Sequence, residues 1–445
     1  MIPTRPCRER TTPLACGLML LVTACGGPAV SDFAVAKIER PAGGRTVAVG
    51  EDLQAAIDAA PAGSVLWLAP GEHRGPVVVT KAVTLWGPRD AVVCGGNGST
   101  IRVTADHARL LGFTIAGSGQ RFDLMDGGVH LQGKDLELAG VTIRDALFGI
   151  LVERCQRATV RGNAIIGTGQ PAMGLRGDGI RLWETNDSEV VDNNVTDSRD
   201  VVVWYSSRNH LARNRVTRSR YGTHFMYSHD NVVEDSEYVG DEVGIFVMYS
   251  HDILIRRNLL AQAGGSAGIG IGLKEAGNLT IEDNWLLADT TGIYVDASPL
   301  DPEHRNHYRR NVVRFAEAAI SLHSSLRRSD FSDNQFADNG VVLKVGGQGD
   351  ALECAFDGNY YDGYQGYDLD GDGRGDVPYE FRRLSTQLEG RYPELALLHG
   401  SPAMGMVDVV GEAMPLFTPR QVMRDAAPRL RPGVMAWTPQ VRHAR

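Results

Sequence analysis

Apolar and polar residues alternate along most of this chain, in short runs punctuated by glycine, asparagine or aspartate. Leu279-Thr280-Ile281-Glu282 before Asn284, Phe113-Thr114-Ile115 after Gly112 and Val141-Thr142-Ile143 after Gly140 show the pattern. A period of two marks a strand with one buried face. The punctuating residue recurs as Gly87, Gly112, Gly140, Asn163, Asn194, Asn214, Asp235, Asn258, Asn284, Asn311, Asn334 and Asn359, at intervals of 20 to 31 residues. These residue types accept the tight or left-handed backbone of a turn between strands. Several short strands per unit at this spacing predict an all-β solenoid, a right-handed parallel β-helix of about eleven coils stacked roughly 4.8 Å apart. Handedness is taken from what is general to such folds. A β-propeller blade would have to span two of these units, and the strong single-unit repetition speaks against it.

The repetition is strongest from Gly177 to Asp296, where Met-Tyr-Ser-His-Asp occurs at Met226–Asp230 and again at Met248–Asp252. Aligning the coils gives an apolar column, Leu182, Val203, Phe225, Val247, Leu273 and Val295, that suits the interior. Side chains alternate along a strand, so the flanking columns face outward. One reads Trp183, Trp204, Met226, Met248, Lys274, Asp296; the other reads Arg181, Val202, His224, Phe246, Gly272, Tyr294. Aromatic and thioether side chains on an outer face predict a partner or ligand surface, with Trp183, Trp204, Met226 and Met248 at its centre. Packing of the carboxy-terminal segment over this stripe is the structural alternative.

The periodicity also sets the organisation. Residues 49–63 predict a helical cap, with Leu53, Ile57 and Ala60 on one face and Pro61-Ala62-Gly63 as the stop. Such a cap would cover the open end of the first coil. Residues 64–359 form the solenoid, and 360–445 a turn-rich closure and docking segment. Gly167–Gly177 and Asp296–His307 read as loops projecting from the coils.

Composition adds export. Arg5, Arg8 and Arg10 precede the apolar run Leu14–Val22, and Thr23-Ala24-Cys25 follows. This predicts a signal peptide over 1–24. Cys25 resembles a lipobox cysteine, which would be lipidated and anchor a tether over 25–48. Cys94, Cys155 and Cys354 are scattered and read as buried hydrophobes, with one possible bridge. The net charge of -9, without a dominant basic patch, gives no support for a nucleic-acid partner.

Two groups of residues suggest metals. His224, Met226, His229, Met248 and His251 combine imidazole with thioether, donors suited to Cu(I). Asp368, Asp370, Asp372 and Asp376 resemble the first nine positions of a calcium loop, but the twelfth position is Tyr379. The alternative is a turn in which these carboxylates cap backbone amides. Two further functions compete. A polysaccharide-processing enzyme would draw on Asp178, Glu184, Asp296, Asp301, His304 and His307. A binding scaffold would use Trp183, Trp204 and Tyr205.

The phrases GDGIRLWETND (Gly177–Asp187), RYGTHFMYSHDN (Arg220–Asn231), VGIFVMYSHD (Val243–Asp252), GIGLKEAGN (Gly270–Asn278), GNYYDGYQGYDLDGDGRGDVPY (Gly358–Tyr379) and PLFTPRQ (Pro415–Gln421) together resemble the NosD family. Members are periplasmic β-helix proteins required to mature the copper centres of nitrous oxide reductase. The resemblance implies work with an ABC transporter membrane subunit and its ATPase, a copper chaperone and the apo reductase. It implies an accessory rather than an enzyme, with ATP hydrolysis left to the ATPase subunit, since this chain lacks a GxxxxGK[ST] loop. Assigning ligands to His224, Met226 and Met248 is a reading of the residues and not of the family. A lipid anchor at Cys25 would depart from the usual soluble periplasmic member.

Overall fold

The computed structural model describes residues 35–323, 329–346, 350–382, 384–398, 401–414 and 419–439. The expected signal peptide and Cys25 lie outside them. Period-two segments form short strands that stack into three sheets of 16, 12 and 13 strands. Each complete coil contributes one strand to each sheet, and neighbours pair in parallel from coil to coil. The exception is Tyr379–Phe381, which runs antiparallel to Met423–Asp425. This is a parallel β-helix. The thirteen-stranded sheet begins at Gly71–Arg74, so the molecule has more coils than the expected eleven. The first ones carry apolar runs before the first recurring marker, Gly87.

One continuous core fills the solenoid, and the column Leu182, Val203, Phe225, Val247, Leu273, Val295 lies within it, fully buried. Polar ladders line the turns. In the longest, Asn163, Asn193, Asn214, Asn258, Asn284, Asn311, Asn334 and Asn359 are stacked, with Ser236 taking one rung. Each asparagine oxygen accepts an amide from the preceding coil, as where Asn258 N–H meets Asn284 Oδ1 at 3.0 Å. Every rung satisfies backbone groups that would otherwise be buried without partners. The turn markers therefore need correction at two places: the rungs are Asn193 and Ser236, not Asn194 and Asp235.

The ends are closed differently. The helix Leu53–Ala59 is capped by Asp52, whose side chain accepts from the Ala55 amide at 3.0 Å. It buries Leu53, Ala56 and Ile57. Its Gln54 amide imitates a backbone partner for the edge strand Val77–Val79, accepting from Val78 N–H at 2.7 Å and donating to Val78 O at 3.0 Å. At the other end, Asp425 ends the asparagine ladder, accepting from Asn359 Nδ2 at 2.9 Å. The closure also contains the helices Leu384–Arg391 and Pro402–Ala413.

The expected tether is described from residue 35. There it lies against the solenoid: Arg40 stacks over Trp67 at 3.5 Å, and Trp86 donates to Ile38 O at 3.2 Å. The carboxy-terminal tail takes the thirteen-stranded sheet, where Gln335 donates to Gly433 O at 2.8 Å and Trp285 to Trp437 O at 3.2 Å. Neither described terminal segment makes a hydrogen bond to the outer face of the twelve-stranded sheet. Cys94, Cys155 and Cys354 are all free thiols, and burial pushes the Cys155 thiol up to about 12. Among the described residues no helix is long and apolar enough to cross a membrane.

Candidate functional site

The twelve-stranded sheet carries the aromatic and thioether columns in the expected register. Trp183, Trp204, Met226, Met248, Lys274 and Asp296 are successive cross-strand neighbours, and so are Arg181, Val202, His224, Phe246, Gly272 and Tyr294. The first column is half-buried. The second is not the exposed stripe that alternation predicts: Val202, His224 and Phe246 are buried. Large neighbours fold over it. Tyr221, Met248 and Tyr294 pack around Val243, Phe246 and Ile269. Gly272 leaves the space in which the Phe246 ring lies, since a Cβ there would sit 2.3 Å from that ring.

His224 is held between two rings, Tyr221 stacked at 4.6 Å and Trp204 edge-on at 5.9 Å between centroids. Its two nitrogens are buried and neither has a hydrogen-bond partner. Burial, with the nearby Arg220, pushes its pKa down to about 4, so the imidazole is neutral at pH 7. Met226 follows on the same face, about 7 Å along the strand, and Met248 lies opposite Met226 on the next coil, about 4.8 Å away. An orphaned imidazole beside two thioethers is a donor set that fits a soft monovalent ion.

Upstream on the same face, Arg181 lies between Trp183 at 4.9 Å and Trp204 at 4.7 Å. Its charge is met by the fully buried Asp178 at 3.2 Å, which Arg199 also holds at 2.9 Å. Burial and the adjacent Asp200 push Asp178 upward against the pull of both arginines. Asp200 in turn accepts from Arg220 Nε at 3.0 Å. Beyond Arg181 lies a hollow of about 190 Å³, lined by Met125, His130, Leu151, Val152, Glu153, Arg181 and Trp183. Burial lowers the His130 pKa despite its bond to Glu153. His130 is absent from the sequence-derived candidates, yet it lies in the His224 column. Extending that column upstream would have found it.

His229 and His251 lie past the corner that ends each strand. Tyr205, Tyr227 and Tyr249 stack along this corner at 5.3 and 5.0 Å. They separate the methionine column from the histidine pair in the chain. The two imidazoles stack at 3.8 Å with 21° between planes. Lone pairs lie in the ring planes, so near-parallel rings do not converge on one ion. His229 Nδ1 also accepts the His251 amide at 3.2 Å, and His251 Nδ1 bonds Asp252 at 2.6 Å.

The Asp-rich loop brings Asp368, Asp370 and Asp372 together. Their oxygens cap amides: Asp368 accepts from Gly371 at 2.6 Å and Gly373 at 2.8 Å, Asp370 from Asp372 at 3.2 Å, Asp372 from Arg374 at 2.7 Å. Asp376 accepts the Leu369 amide at 2.6 Å. The acids considered for sugar chemistry are dispersed. Glu184, next to Trp183, pairs with Arg154 at 2.9 Å. Asp296 is five coils along the Trp183 column, about 24 Å away. A glycosidase pair needs about 5–9.5 Å. Asp301 accepts from Glu303 N–H at 2.8 Å, and His307 faces Asp330 at 3.2 Å. His304 lies 5.5 Å from the His251 ring.

Fold and face together define a parallel β-helix protein whose twelve-stranded sheet carries a half-buried aromatic and thioether outer face. Residues 168–366 match the NosD family, described as periplasmic copper-binding protein. The chain is 26% identical over 377 residues to the "Probable ABC transporter binding protein NosD" of Stutzerimonas stutzeri, covering 80% of this chain and 85% of the relative. It is 27% identical over 394 residues to the protein of the same description in Pseudomonas aeruginosa, covering 82% and 87%. The family match and both relatives make the chain similar to NosD proteins. In fold it is also similar to the A-module of the Azotobacter vinelandii mannuronan C-5 epimerase AlgE6, with TM-score 0.53 and 14% identity over 70% of this chain and 95% of that one.

Proposed function

We propose that this chain is a periplasmic, non-catalytic accessory in nitrous oxide reductase maturation that holds Cu(I) as cargo on the outer face of its twelve-stranded sheet. His224, Met226 and Met248 are the ligands in this reading, with His229 and His251 outside the site. The observation that carries it is the pair of buried, unpartnered His224 ring nitrogens beside two thioethers. The names of the family and of its relatives support copper and an ABC transporter as the context. The expected partners are the transporter membrane subunit with its ATPase, a copper chaperone and the apo reductase. Cys25, if lipidated, would keep the chain at a membrane. Calcium at Asp368, Asp370, Asp372 and Asp376 would add to a loop that amide caps already hold.

Anaerobic titration of the full chain with Cu(I) against a chromogenic chelator tests the ligand set. Replacing Met226 and Met248 with leucine together removes one tightly held equivalent while the fold is kept, because Met to Leu conserves volume. Unchanged uptake sinks the site. The partner assignment is checked by co-purification with the transporter subunits and by reductase copper content after deletion of this chain. A reductase that loads normally without it defeats the accessory role.

A further inference from the structure

We infer that the hollow under Met125 is a second soft-metal site, in which His130 Nδ1 and the Met125 thioether take one monovalent ion such as Cu(I) or Ag(I). His130 is 95% buried and its Nε2 lies 2.7 Å from Glu153 Oε2. A carboxylate there fixes the proton on Nε2 and leaves a bare lone pair on Nδ1. That nitrogen is buried without a partner, in the residue that lines the hollow of about 190 Å³ together with Met125. A histidine oriented by a carboxylate through one nitrogen and open at the other is the usual arrangement of a metal ligand. Imidazole and thioether select a soft ion over a hard one.

The surroundings are built for this. Gln132 donates to the same Glu153 oxygen at 3.0 Å, holding the carboxylate in place. Met125 sits at φ 49° in a turn clamped by Asp126, which accepts from the amide and the Nε of Arg121 at 3.1 Å each. Its neighbours Leu147, Phe148 and Leu151 form an apolar cluster that keeps water from that side. Arg181 lines the hollow as well and shares Asp178 with Arg199, Arg102 is the cross-strand neighbour of His130, and Glu153, which also faces Arg154 at 3.6 Å, is the carboxylate among the lining residues. His130 and His224 occupy one column, four coils apart through Leu151, Arg181 and Val202. That is about 19 Å, so the two sites share no ligand. The inference shares the soft-ion reading of the first site but none of its residues.

Silver(I), which does not change oxidation state under the assay conditions, is the probe, with bound ions counted on the intact protein by native mass spectrometry. Two ions are expected on the wild-type chain. Met125→Leu with His130→Asn removes one, Met226→Leu with Met248→Leu removes the other, and the quadruple variant binds none. Met125→Leu alone, which conserves volume, weakens the second ion at least tenfold and covers the case in which the His130 change disturbs folding. One ion that survives Met125→Leu and disappears with the Met226 and Met248 changes overturns this second site and leaves the first. One ion with the opposite response keeps the second site and removes the first. Tighter retention of Zn(II) than Ag(I) in the hollow also overturns the soft-ion assignment.

Discussion

Asp241 stands at a turn where Ser219 stands one coil earlier, and it accepts the Ser219 amide through one oxygen at 2.7 Å. The other oxygen is buried without a partner. Burial pushes its pKa up to about 8, and Asp289 is raised for the same reason. The folded chain therefore keeps a proton that the unfolded chain loses above about pH 4. Stability linked to Asp241 is fully present below pH 4 and declines as pH rises toward 8. Asp241→Asn removes that decline. At pH 8 the variant should be more stable by on the order of 5 kcal/mol, with the gap closing toward pH 4. Thermal melts of both proteins across this range check it, and a gap that does not vary with pH refutes the protonated state. Nothing in the sequence distinguishes Asp241 from the many surface aspartates, because its burial comes from coils above and below.

At the scale of the element, the asparagine ladder decides where each strand begins. Asn193 donates to Val160 O at 2.9 Å and to Asn214 Oδ1 at 3.0 Å, and it accepts from Asn163. Asn194, beside it, starts the next strand. Asn193→Ala should cost about 3 kcal/mol or more, since several buried groups lose partners at once. Asn194→Ala should cost about 1 kcal/mol or less. Urea unfolding of the two variants separates them, and equal losses would remove the special status of the rung. Spacing alone cannot choose between adjacent asparagines, and a slip of one residue reverses which side chains face the core. Alternation was still sufficient for the columns. Phe225 and Val247 are inside and Met226 and Met248 outside, as the pattern predicts. It did not reveal that His224 is covered, because the covering rings of Tyr221 and Trp204 belong to other positions and depend on side-chain size and tilt.

Over the whole molecule, a solenoid is as stable as its ends allow. The last coil is closed by a segment that returns from 66 residues further along the chain. Asp425, fully buried, accepts from Asn359 N at 3.0 Å, Gly358 N at 3.2 Å, Asn359 Nδ2 at 2.9 Å and the Tyr361 hydroxyl at 3.2 Å. Asp425→Ala leaves these donors without an acceptor. Hydrogen exchange should accelerate first in Ala355–Asp357 and Tyr360–Tyr361, while strands such as Ile101–Thr104 keep their protection. Uniform loss of protection would mean that the coils unfold as one unit. The repeat made the solenoid legible, and an amphipathic pattern made its first cap legible. The second closure has no period to betray it, since its partner residues are far apart in the chain and adjacent only after folding.

The tryptophan pair has an optical consequence. Trp183 and Trp204 lie 5.7 Å apart with 59° between their planes, and Arg181 sits against both. Indoles this close share excitation energy, and a skewed pair of them gives a circular dichroism couplet that vanishes when either ring turns away. The face thus carries its own chromophore between His130 and His224. Anything that settles on it, ion or protein, alters emission and ellipticity without a label.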